Sequence, residues 1–102
     1  MAHITETLHL TTGVEHDGKQ HREICIRIPI VKDSIEVEKE TAGSGIILKS
    51  LALLKKQIVT FGSIPLEKIS IDLLGELTET DLDLLNEATQ GLKKKALWQK
   101  RD

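Results

Sequence analysis

The residues able to do chemistry are few and cluster near the N-terminus. All four histidines, His3, His9, His16 and His21, precede residue 22, and the single cysteine is Cys25. Imidazole and thiolate are good Zn²⁺ ligands. His9 and Cys25, expected opposite each other on a hairpin, are the sharpest metal or redox candidates, with His21 or Glu23 as further ligands. Two firm ligands do not make a structural zinc site, and one exposed imidazole does little to activate a thiol. The expectation is a half-buried cysteine beside a surface histidine, with no metal and no cofactor. A lone cysteine also excludes an intramolecular disulfide framework. Gly43-Ser44-Gly45 lacks the following glycine and the Lys-Ser/Thr of a phosphate loop. No His-Glu-x-x-His arrangement occurs, and Ser34, Ser44, Ser50, Ser63 and Ser70 lack a nucleophile elbow. No catalytic residue is assigned, and the chain reads as non-enzymatic.

Charge is segregated along the chain. Glu67, Asp72, Glu76, Glu79, Asp81, Asp83 and Glu87 face only Lys68, while Lys93, Lys94, Lys95, Lys100 and Arg101 crowd the end. The acids are too dispersed for a calcium loop and read as a solvated or basic-partner face. The terminal cations suit the C-terminal end of a helix. The formal net charge of −2 and aromatic content of 2% argue against a nucleic-acid binder, which needs a basic excess or stacking faces. No apolar run approaches the length of a membrane span.

These groups must be carried by a single domain of 102 residues with an aliphatic core, since Leu and Ile supply 27 of them. Before residue 31 the apolar positions alternate: Ile4, Leu8, Leu10 and Val14, then Ile24, Ile26, Ile28 and Ile30. This predicts an antiparallel hairpin over 4–30 with its even row buried. A three-residue loop, His16-Asp17-Gly18, would align the rows and pair Leu10 with Ile24 and His9 with Cys25. The odd row, Thr7, His9, Glu23 and Arg27 among it, faces water or a partner.

After residue 31 the spacing is helical. Asp33, with Glu36 three residues on, predicts a capped short helix. Ile47, Leu51, Leu54, Ile58 and Phe61 form one stripe and predict a central helix over 46–61, stopped by Gly62. Lys49, Lys55, Lys56 and Gln57 are its expected exposed positions. A short helix at Pro65 follows, and Thr78 with Asp81 resembles a capping box opening the last helix. The predicted fold is α+β, an N-terminal antiparallel β-hairpin followed by three to four helices, with a helical region over 33–92 and a basic tail over 93–102.

Three segments taken together resemble a known family. They are Val14-Glu15-His16-Asp17-Gly18-Lys19 leading to Ile24-Cys25-Ile26-Arg27-Ile28-Pro29 and Asp33; Leu51-Ala52-Leu53-Leu54 leading to Ile64-Pro65-Leu66-Glu67; and Ile71-Asp72-Leu73-Leu74 leading to Asp81-Leu82-Asp83-Leu84-Leu85. In that order they resemble the small tail assembly chaperones of Mu-like phages and prophages, over roughly residues 4–92. The Lys-rich tail with Trp98 lies outside the pattern. The resemblance implies a protein that binds the phage tape measure protein, keeps it soluble and assists tail tube subunits. It implies action in the cytoplasm of the bacterial host and absence from the mature virion. It also implies, for many members, a longer form made by ribosomal frameshifting, for which consecutive Lys93-Lys94-Lys95 codons would serve. It assigns no binding residues. From the residues themselves, the candidate partner contacts are Ile47, Leu51, Leu54 and Ile58 on the apolar helix and Thr7, His9 and Arg27 on the sheet's exposed face. Other readings are a small protein-binding adaptor and a DNA-binding regulator; acids at the start of the last helix speak against the second.

Overall fold

Period-two burial fixes the first two elements. Strand β1 (Thr5–His16) and strand β2 (Lys19–Arg27) pair antiparallel in this computed structural model, which describes residues 4–99 and side chains through residue 97. Leu10, Val14, Ile24 and Ile26 are buried and Leu8 and Ile28 half-buried, whereas Thr7, His9 and Glu23 are exposed. The even row faces the core as the alternation predicts, except Ile30, which lies past the end of β2 as the N-cap of α1 and is exposed.

The turn differs from the expected one. Asp17 and Gly18 both have positive φ, 54° and 75°, and form a two-residue turn that pairs His16 with Lys19. That turn alone would put the apolar rows on opposite faces. A wide bulge corrects it: Leu10, Thr11, Thr12 and Gly13 lie between the paired residues His9 and Val14, opposite only Arg22. Beyond the bulge Leu8, not Leu10, meets Ile24. Thr7, not His9, meets Cys25, while His9 meets Glu23. The expected His9–Cys25 pair is thus pulled apart.

Helix α1 (Val31–Glu40) has Ile30 as its N-cap, three residues before the expected cap Asp33. Asp33 sits in the first turn and its Oδ2 accepts from the Ile30 amide at 2.9 Å. Helix α2 (Ile46–Gln57) passes directly into strand β3 (Ile58–Phe61), so the predicted helix is four residues too long. Strand β3 adds antiparallel to β2 and makes β2 the central strand of three. A register shift between Cys25 and Ile26 lets Ile58 and Phe61, three apart, both point inward. Inward residues three apart mimic a helical stripe, which hides the strand from a periodicity argument.

A 3₁₀ turn (Leu66–Lys68) and helix α3 (Ile71–Leu74), capped by the Ser70 hydroxyl, lead to helix α4 (Glu79–Gln99). The sequence over 93–99, expected as a tail, continues this helix. The core joins the inner sheet face, Leu51 and Leu54 of α2, Ile64, Ile69, Leu74, and Leu85 and Leu92 of α4.

Candidate protein-docking surface

Two polar clusters hold the helices on the sheet. The first is built on Asp81. Its carboxylate is fully buried and spans to the bulge of β1. Oδ1 accepts from the Thr11 amide and the Thr11 hydroxyl, both at 2.7 Å, and Oδ2 accepts from the Thr12 and Gly13 amides at 3.0 and 2.9 Å. Burial pushes the carboxyl pKa up, but hydrogen bonds from the Thr11 hydroxyl and the amides of Gly13, Thr11 and Thr12 outweigh it and bring it down to about 2. The Thr78 hydroxyl accepts from the Asp81 amide at 3.1 Å, so half of the expected capping motif is present. The Asp81 side chain serves the distant strand instead. Gly13 has φ +72°, and a Cβ there would lie 1.9 Å from the His21 carbonyl oxygen.

The second cluster is built on Arg27. Its guanidinium makes a paired contact with the buried Asp33 at 2.8 and 3.0 Å and donates to the carbonyls of Ile28 and Lys56 at 3.0 and 2.8 Å. The Arg27 hydrogen bond holds the Asp33 carboxyl below its usual range, and the same bond raises the Arg27 pKa. The Lys56 carbonyl lies at the C-terminal end of α2, where a cation also meets the negative end of the helix dipole. Gln57, expected exposed, is buried; its Nε2 donates to the Arg27 carbonyl and the Thr89 hydroxyl, both at 3.1 Å. Arg27 therefore joins sheet, α1 and α2, and is not free for a partner.

Those two clusters secure the far end of α2 and the start of α4. They leave the start of α2 standing clear. Ile46 is 80% exposed and Ile47 70%, with Leu48 beside them also exposed. No side chain caps this helix at Gly45. Beside Ile47 runs a groove of about 320 Å³, floored by Leu51, Leu74, Leu77 and Leu82 and edged by Glu79. On the other side Ile46 borders a smaller cleft of about 190 Å³ against Val37 and Glu38 of α1.

No family model, curated protein or solved structure matches this chain. Of the sequence candidates, Ile47 lies on the exposed shelf and Leu51 floors its groove. Leu54 and Ile58 are buried in the core. Thr7 and His9 are exposed on the opposite sheet face, away from Ile47, and do not join it into one site. Cys25 lies between Thr7 and Thr60 on neighbouring strands. Among the described residues no group of three or more His, Cys, Asp or Glu is placed to hold a metal.

Sequence reasoning missed Ile46 and Leu48 as contact candidates, because an all-round apolar helix start reads as core. It also missed Leu77 and Leu82 as groove walls. Leu77 lies just before α4 and Leu82 in its first turn, where an aliphatic residue reads as ordinary core. Among the described residues, no helix is long and apolar enough to cross a membrane.

Proposed function

We propose that the protein is a non-enzymatic chaperone that covers apolar helical segments of a phage tape measure protein during tail assembly in the host cytoplasm. The observation that carries this reading is the shelf of Ile46, Ile47 and Leu48 standing beside a leucine-floored groove. Grouped exposed aliphatics at a groove mark a partner site, whereas isolated ones are ordinary. A groove between α2, α3 and α4 offers the helix-in-groove mode, in which residues spaced three and four apart anchor an amphipathic helix. A tape measure protein supplies many such stripes and would aggregate without cover. The succession of motifs over residues 4–92 supplies the family to which this chemistry points. Tail tube subunits are the second partner under this reading.

The test is co-expression with the cognate tape measure protein. The client should gain solubility and co-purify with the chain. Ile46→Asp with Ile47→Asp should abolish both while leaving the helical circular dichroism signal unchanged. If the wild-type chain neither solubilises nor retains the client, the chaperone reading fails.

A further inference from the structure

One side of α4 carries a pattern that the groove alone does not explain; along it Asn86, Gln90 and Lys93 border a cleft of about 170 Å³ against Ser50, Leu53 and Gln57. Glu79, Asp83, Asn86, Gln90, Lys93 and Leu97 follow one another at spacings of four, three, four, three and four, and all six are exposed. Such spacing places them in a single line along the helix. Read from its N-terminal end, the line runs acid, acid, amide, amide, base, leucine. Laid antiparallel against itself, with the crossing level with Ala88, its four middle positions are self-complementary. Asp83 then meets Lys93, Asn86 meets Gln90, and Glu79 meets Leu97.

The last of these pairings has a destination. Glu79 edges the apolar groove floored by Leu51, Leu74, Leu77 and Leu82. Leu97 is 66% exposed at the far end of the same helix. It cannot reach the groove of its own molecule, because a continuous helix holds it about 27 Å from Glu79. It can reach the groove of a second molecule. Beyond the buried Leu92, residues 93–95 and 97 are all exposed, so this end of α4 overhangs the core and is open to a neighbour. Neither Asp83 nor Lys93 has an ion-pair partner among the described residues.

We propose that two copies of this chain pair through an antiparallel, twofold α4–α4 contact, with Asp83 against Lys93 twice and each Leu97 seated at the mouth of the other molecule's groove. A twofold contact uses the same surface on both subunits and closes on itself, so it yields a dimer and not a fibre. One helix face and two leucines form a small contact, in the range of transient interfaces. The range to test is a Kd on the order of 10–100 µM. The pairing does not depend on the identity of any client.

Sedimentation equilibrium on the full chain across this concentration range tests it. Asp83→Lys alone and Lys93→Asp alone should each weaken association by roughly tenfold or more, because the twofold makes each like-charge clash occur twice. Both sites are exposed, and circular dichroism should show the fold unchanged. The double variant Asp83→Lys/Lys93→Asp should recover wild-type association. Mixing the two single variants should produce a heterodimer, since both of its charge pairs are again opposite. Leu97→Asp should weaken association in the wild-type and double-variant backgrounds alike. A wild type that stays monomeric throughout overturns the proposal. So does association indifferent to the single variants, or a double variant as weak as either single one. Client solubility is read separately, on the shelf variants of α2.

Discussion

Two helix starts in this molecule are built to opposite specifications. The first turn of α4 is tied down: Thr78 caps it, and Asp81 reaches 70 residues back to Thr11, with Thr12 and Gly13 completing the cradle. The first turn of α2 has no side-chain cap and presents Ile46, Ile47 and Leu48 to water. The first places polar atoms where apolar ones would be expected, and the second does the reverse. Each departs from the ordinary sorting of residues, but only the first is compensated inside the molecule. An uncompensated apolar surface points outward to a partner, which is why the start of α2 carries the functional proposal.

Several substitutions would break or sharpen this contrast. Gly13→Ala should do the most damage, costing about 4 kcal/mol or preventing folding, because the φ of +72° and the His21 carbonyl leave no space for a methyl group. Urea denaturation monitored by circular dichroism would measure it. Asp81→Asn keeps the shape but loses the charge, and should cost about 2 kcal/mol at neutral pH. The sign follows from the lowered pKa. The folded carboxyl releases its proton more readily than the unfolded one, so this contribution is complete above about pH 4 and disappears as the pH falls towards 2. The wild type should therefore lose stability across that window more steeply than Asp81→Asn, as paired denaturation curves would show. Gly91→Ala tests the exposed run of α4; a Cβ there meets nothing, so stability should rise by about 1 kcal/mol. Ile46→Ser with Ile47→Ser should change stability least, within about 0.5 kcal/mol, while removing client binding in a pull-down. A large stability loss from that pair would make the start of α2 core and erase the contrast.

The sequence showed the two starts unequally. Thr78 and Asp81 were legible as a helix beginning, since the capping pattern is local. The use of the Asp81 side chain was not, because its partners are backbone amides of a distant strand and amides carry no sequence signature. The even buried row is legible from period two, but the hairpin turn is not. A two-residue Asp17-Gly18 turn contradicts that parity unless a bulge restores it, and only Thr11-Thr12-Gly13 hints at one. Strand β3 was concealed by the same kind of irregularity. Its Ile58-Val59-Thr60-Phe61 composition favours a strand, but its inward residues sit three apart and continued the spacing of α2. Gln57 and Arg27 looked like surface polar residues because nothing local reveals a long-range hydrogen bond. The exposed shelf was half legible: Ile47 belongs to it and the core residue Leu51 floors its groove, whereas Leu54 and Ile58 are core alone.

The bulge of β1 also limits how the sheet itself can meet other chains. A flat outer strand offers its unpaired amides and carbonyls as a template on which foreign strands can add. Here the outer strand β1 is interrupted where Thr11, Thr12 and Gly13 turn their amides to Asp81, and the other outer strand, β3, is only four residues long. Neither border gives a long straight ladder. The sheet thus offers a foreign strand little template for β-addition, and the surface left open to contact is helical.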